Sequence, residues 1–185
     1  MSVNDLNHLR KTEIEETLLH MMQDFSYEQI TVKSLTDRLT IARKTFYHYF
    51  PSKQACLESM IDRVILECNL QLMSLPKAND PAQLYRTQFL FWIQHRSFLN
   101  AIIRNGLQSL MVERVLLCIQ REGDLFPDRL STKTMTCDED ILFYYVSGHI
   151  SMLLKWCSDG FTCPVEEMVQ KSLRLVYEPL LTREV

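Results

Sequence analysis

A chain of 185 residues with 46% hydrophobic content holds enough apolar material for one large domain, or for a small domain beside a medium one. Four glycines, six prolines and no sustained alternation of apolar and polar residues argue against a sheet protein and for an all-α fold. The net charge of −3 by itself argues weakly against a polyanionic partner, but the charge is unevenly spread. Between Thr31 and Lys53 five cations, Lys33, Arg38, Arg43, Lys44 and Lys53, face Asp37 alone, a local balance of +4, and binding to a polyanion follows the local patch rather than the total.

No apolar run approaches the roughly 20 residues of a membrane-spanning helix. The opening MSVNDLNHLRKTEIEE is polar where a secretion signal is apolar. A cytoplasmic, soluble protein with no membrane partner is therefore expected. Six cysteines without a C-x-x-C pair read as reduced, mostly buried thiols. A thiol sensor or soft-metal site built from Cys137, Cys157, Cys163 and a histidine is the alternative, but the spacing has no zinc-finger form, so no metal and no cofactor are expected.

In chain order, Ile14, Leu18, Met21, Met22 and Phe25 recur at intervals of three and four, which predicts a first helix over about Leu6 to Phe25 with those residues on its inner face. Thr31 can cap a second helix, Val32 to Leu39, in which Val32, Leu35 and Leu39 point inward. Thr40-Ile41 makes a turn. A short helix over roughly Ala42 to Phe50 follows, with Ile41, Phe46 and Phe50 spaced to pack on its predecessors, and this leaves Arg43, Lys44, Thr45, Tyr47 and His48 outside. Such donors on one face suit a DNA major groove, where they reach base edges and phosphate oxygens. Pro51 disfavours helical geometry at Phe50, and Ser52 caps the next helix.

From Thr31-Val32 to Leu39 and on through Ile41-Ala42-Arg43-Lys44-Thr45-Phe46-Tyr47-His48-Tyr49-Phe50-Pro51-Ser52-Lys53-Gln54-Ala55, the chain resembles the DNA-binding domain of the tetracycline-repressor (TetR) family of transcriptional regulators. It departs from that pattern at Leu39 for a small alanine, Thr40 for a turn glycine and Ala42 for a capping serine or threonine. The resemblance implies that Thr31 and Lys33 touch the DNA backbone, and that Arg43, Lys44, Thr45 and Tyr47 enter the major groove from a helix begun at Ala42. It also implies that His48 and Lys53 hold flanking phosphates. Arg43 and Lys44 are expected to discriminate bases, being the side chains there that reach guanine O6 and N7.

A fourth helix is predicted from Lys53 to about Met73, with Leu57, Met60, Ile61, Val64 and Leu72 inside, and residues 76–81 form a breaker cluster. Helical patterns follow at about 81–95, 98–104 and 107–121, then a loop at 123–137, then helices over about 138–158 and 164–181. The division expected is residues 1–53 as a three-helix helix-turn-helix DNA-binding domain and 54–185 as a helical effector-binding and dimerisation domain. Phe89, Trp92, His95, Arg104, Gln108, Met111 and Tyr144 are the candidate lining for an unknown small-molecule effector, a few polar groups among bulky apolar ones. Gly148 within a helix suggests close approach of another helix. With Ser151, Val169, Leu173 and Val176 it forms the candidate homodimer interface, two helices meeting a two-fold copy of themselves.

The function expected is a homodimeric, ligand-responsive repressor on a palindromic double-stranded DNA operator. The rival is a co-activator on the same scaffold that works through a protein partner. No nucleophile-base pair, glycine-rich phosphate loop or H-E-x-x-H supports an enzyme, and His8, His20, His48, His95 and His149 are dispersed.

Overall fold

The computed structural model describes residues 3–75, 80–121 and 139–177, and every regular element among them is a helix. In order these are α1 (Val3–Asp24), a 3-10 turn (Tyr27–Gln29), α2 (Val32–Leu39), α3 (Arg43–Tyr49), α4 (Lys53–Met73), α5 (Pro81–Gln94), α6 (Arg96–Arg104), α7 (Gln108–Arg121), α8 (Glu139–Ser158) and α9 (Val165–Tyr177). Residues 76–79 of the breaker expected at 76–81, the loop at 123–137 with Cys137, and the last helix beyond residue 177 lie outside the described residues. Among the described residues no helix is long and apolar enough to cross a membrane.

The helix starts are set by local chemistry. Thr31 caps α2, its Oγ1 accepting from the Ser34 N–H at 3.0 Å while Ser34 Oγ accepts from the Thr31 N–H at 3.0 Å, so two of the donors that a helix start leaves free are paired. Ser52 Oγ accepts from Ala55 N–H at 3.0 Å at the head of α4, and Asp80 with Pro81 opens α5 in the same manner.

Ile14, Leu18, Met21 and Met22 form the buried stripe of α1, which packs on α2, α4 and α6. Phe25, expected on that stripe, is instead 50% exposed: the helix ends at Asp24, so Phe25 leaves the 3.6-residue register. The end of α1 is held by the end of α6, where Arg104 donates to the Gln23 carbonyl and Asn105 Oδ1 accepts from the Tyr27 N–H. Helix α4 packs against α1 on one side and α5 and α7 on another. The boundary expected between 53 and 54 therefore falls at the first turn of a helix that runs from the head (α1–α3) into the body (α5–α9), and the buried side chains form one cluster from Ile14 to Val169. In the body, α5 packs on α9, and α6 and α7 on α8.

One ionic network crosses the head. Glu15 on α1 is 1% exposed and accepts from Ser59 Oγ at 2.7 Å and Arg63 Nε at 2.6 Å, both on α4. Arg63 also donates to Glu67 at 2.8 Å. Burial works against the Arg63 guanidinium, but the two carboxylates outweigh it and its pKa stands above its usual value. A buried carboxylate with two donors is held rather than penalised, and it locks the register of α1 on α4.

Candidate nucleic-acid interface

The turn between α2 and α3 is closed by two backbone bonds, Thr40 N–H to the Asp37 carbonyl at 3.2 Å and Ile41 N–H to the Thr36 carbonyl at 3.1 Å. This pairing ends a helix with one residue in the left-handed region. That residue is Thr40, at φ 55° and ψ 42°, a conformation glycine adopts freely and a β-branched residue adopts under strain. Ala42 then starts α3 with extended backbone and no side-chain acceptor for the first free N–H groups.

Phe46 and Phe50 are buried with ring centroids 5.9 Å apart, and they seat α3 on the head. Each contributes about 1.5–3 kcal/mol by burial. The seating decides which face remains outside: Arg43, Lys44 and His48 are exposed, Tyr47 is 54% exposed with its ring edge-on to Phe46 at 5.5 Å, and Thr45 is half-buried. Lys33 on the adjoining turn of α2 is exposed, as is the Thr31 cap. Among the described residues no carboxylate lies within ion-pair distance of Lys33, Arg43 or Lys44. Their charge is therefore available to an external anion. His48 rests edge-on against Tyr49 at 5.0 Å, and Tyr49 donates its hydroxyl proton to Asn7 at 3.3 Å.

Lys53 has a different setting from the one expected for a phosphate contact. Its ammonium donates to the carbonyls of Tyr27 at 2.6 Å and Ile30 at 2.7 Å and lies 3.9 Å over the Tyr27 ring. Burial lowers its pKa, and Glu28 acts in the opposite direction. The same burial, with Glu28 nearby, pushes the Tyr27 hydroxyl up to about 12. Lys53 thus ties the entry of α2 to the start of α4, a contact across more than twenty residues that spacing along the chain does not reveal.

The residues expected to line an effector site differ in setting, and the cleft between α1, α4 and α7 includes none of them. Phe89, Trp92 and Met111 are buried: Phe89 sits among the rings of Tyr85, His149 and Trp156, and Trp92 stacks on Phe98 with centroids 6.1 Å apart. His95 stacks on Phe91 at 3.9 Å with Nδ1 2.9 Å from the Phe91 carbonyl. Arg104 and Gln108 are exposed, the former engaged with Gln23, and Tyr144 is 71% exposed.

The candidate dimer residues also divide. Gly148 and Ser151 are exposed on α8, and a Cβ at Gly148 would meet nothing within 4 Å, so no other helix among the described residues approaches there. Leu173 and Val176 are half-buried, whereas Val169 is fully buried in the contact of α9 with α5 and is unavailable to a partner. Phe143, Tyr144 and Leu175 are large apolar residues exposed on α8 and α9. Leu175 broadens the apolar stripe legible in the last helix, whereas Phe143 has no separate signal in the helical pattern. Among the described residues Cys56, Cys68, Cys118, Cys157 and Cys163 form no disulfide, and burial pushes Cys68 up to about 12. Among the described residues no group of three His, Cys, Asp or Glu converges on a metal-sized position.

Residues 16–60, from the middle of α1 into α4, match the family described as bacterial regulatory proteins, tetR family. The HTH-type transcriptional regulator EthR of Mycobacterium tuberculosis (strain ATCC 25618 / H37Rv) is 31% identical over 100 residues, which are 52% of this chain and 46% of that protein. EthR of Mycolicibacterium smegmatis is 39% identical over 56 residues, 30% of this chain and 26% of that one. The uncharacterized HTH-type transcriptional regulator YuxN of Bacillus subtilis is 26% identical over 98 residues, covering 50% of this chain and 34% of that one. The chain thus spans under half the length of these curated relatives. In three dimensions, 95% of the chain overlays 80% of a tetR-family transcriptional regulator from Streptomyces coelicolor with a TM-score of 0.58 at 19% identity, a likeness of fold. The helix-turn-helix segment of this chain, residues 16–60, is thus similar to the tetR family of bacterial regulatory proteins.

Proposed function

We propose that this chain is a sequence-specific, DNA-binding transcriptional regulator that acts as a homodimer on a palindromic operator and represses until a small molecule binds its body. The observation that carries the reading is α3: a short helix seated by Phe46 and Phe50 that turns Arg43, Lys44 and Tyr47 outward with no internal counter-charge among the described residues. Arg43 and Lys44 read guanine edges, Thr45 and Tyr47 complete the groove contact from a helix begun at Ala42, and Thr31, Lys33 and His48 position the head on phosphates. Two heads about 34–36 Å apart would meet successive major grooves. The exposed face of α8 with Gly148, Ser151, Phe143 and Tyr144, and Leu175 of α9, supports self-association. A cytoplasmic location goes with this function.

The test is a gel-shift titration of the purified chain against duplexes from its own upstream region, with scrambled duplex as competitor at fixed salt. Specific binding is expected, and Arg43→Ala should weaken it by about 1–3 kcal/mol while leaving scrambled-duplex binding nearly as before. Equal, steeply salt-dependent binding to every duplex would overturn the reading.

A further inference from the structure

Glu15 ties α1 to α4 through Ser59 and Arg63, so the head and α4 move as one piece. That piece meets the body at two polar attachments. The first is at the end of α1, where Gln23 donates through its side chain to the Ser97 carbonyl at 3.0 Å and accepts from Arg104 at its own carbonyl, while Asn105 accepts from the Tyr27 N–H. The second is on α4. Arg114 of α7 grips both oxygens of Asp62, with Nε 2.7 Å from Oδ1, and the same guanidinium lies 3.8 Å from Glu58, one turn nearer the head. Beside this second attachment α1 and α7 stand apart across a cleft of about 290 Å³, lined by His8 and Thr12 of α1, Leu117 of α7 and Arg114 itself.

We propose that Arg114 is a positioning residue: its pair with Asp62 and Glu58 fixes the angle of the head on the body, and with it the separation of the two reading helices in a dimer. A head attached only at the end of α1 has a pivot there. The end of α3 is far from that pivot, because Tyr49 bonds to Asn7, about 24 Å up α1 from Gln23 at 1.5 Å per residue. A rotation of about 5° about the pivot moves it by about 2 Å, and two heads moving oppositely change their separation by about 4 Å, more than the rise of about 3.4 Å per base pair. Apolar packing of one helix on another allows small slides of this size, whereas a guanidinium fork sets both distance and direction. Arg114 is placed to stop the slide, its side chain only 12% exposed and its two carboxylates one turn apart on α4. The effect on separation rests on the homodimeric DNA-binding function proposed above; the effect on the head angle does not.

Double electron–electron resonance between nitroxides at Glu16 of α1 and Gln120 of α7, both exposed, reads the angle without DNA. The labels are carried on non-cysteine residues, and labelled chains are diluted with unlabelled ones so that each distance lies within one chain. The parent chain should give one narrow distance and Arg114→Met a distribution about twice as wide or wider. The variant should keep its circular dichroism melt, because Asp62 and Glu58, with side chains 39% and 30% exposed, regain water when the guanidinium is lost. Exchanging the charges, Asp62→Arg with Arg114→Asp, should narrow the distribution again. An Arg114→Met distribution as narrow as that of the parent chain, or an exchange as broad as Arg114→Met, would overturn the proposal. On DNA, the parent chain should bind its operator about fivefold or more tighter than the same operator with one base pair inserted at its centre. Arg114→Met should lose that preference while binding an isolated half-site like the parent chain, whereas a residue that only stabilised the fold would weaken both operators in the same proportion. A parent chain without the preference, or a preference kept by Arg114→Met, overturns the link from angle to separation. A parent chain that prefers no duplex at all overturns the regulator, and the resonance measurement still decides the angle.

Discussion

Thr40→Gly should stabilise this protein, although it removes a side chain and adds backbone freedom. Thr40 ends α2 at φ 55° and ψ 42°, where its Cβ crowds the neighbouring carbonyl, and it is exposed. A left-handed L-residue costs about 1–2 kcal/mol, with β-branched residues among the least tolerant. Glycine removes that cost but brings a more flexible unfolded chain, worth about 0.5–1 kcal/mol in the other direction. The balance is a gain of about 0–1.5 kcal/mol, or a rise of up to about 6 °C in Tm for a chain of this size. Urea unfolding followed by circular dichroism, at one fixed protein concentration, measures it. Thr40→Val keeps the branched Cβ and loses the hydroxyl, and it should fall within about 0.5 kcal/mol of the parent chain. A lower urea midpoint for Thr40→Gly, or an equal gain for Thr40→Val, would refute the assignment of strain to this backbone position.

Ala42→Ser supplies an acceptor at a residue whose backbone already has N-cap geometry (φ −71°, ψ 145°) and should raise stability by about 1 kcal/mol in the same urea assay. Lys53→Met strips the donor from the Tyr27 and Ile30 carbonyls, and a loss of about 2 kcal/mol is expected after discounting for the partial exposure of the ammonium. A melt like that of the parent chain together with lost DNA binding would instead assign Lys53 to a phosphate. His149 packs against Tyr85 and Phe89, and although the residue as a whole is only half-buried, its Nε2 has no solvent access and no hydrogen-bond partner among the described residues; burial lowers its pKa to about 4 from 6.5. The unfolded chain therefore gains this proton first as pH falls. The stability is complete above about pH 6.5 and declines by about 3 kcal/mol on the way down to about pH 4, since each pKa step is worth about 1.4 kcal/mol. Urea midpoints from pH 7.5 to 4.5 should show that slope in the parent chain and a flatter one in His149→Leu.

What the chain reveals without its fold is whatever neighbours in sequence decide. Thr31 and Ser52 are capping residues beside apolar repeats, so the spans Val32–Leu39 and Lys53–Met73 are legible to the residue. Phe46 and Phe50, four apart and followed by Pro51, identify the buried side of α3 and leave Arg43 and Lys44 for the other. The conformation of that turn is not legible: threonine where the family pattern has glycine fits a turn that avoids positive φ as well as one that tolerates it, and only the structure puts Thr40 at φ 55°. The settings of Lys53, Glu15, Val169 and Gly148 are not legible, since each depends on a partner brought from elsewhere. Lys53 reads as a free surface cation until the Tyr27 and Ile30 carbonyls come within 2.7 Å, and Glu15 as a solvated carboxylate until Ser59 and Arg63 arrive from α4. Val169 has the periodicity of an interface residue, and only the packing of α9 on α5 makes its partner the same chain. Helical periodicity gives a side chain its face but not what lies against that face, so the sequence by itself determined the elements of the reading head, and the tertiary packing decided which of its charges remain outside and where a cleft opens beneath it.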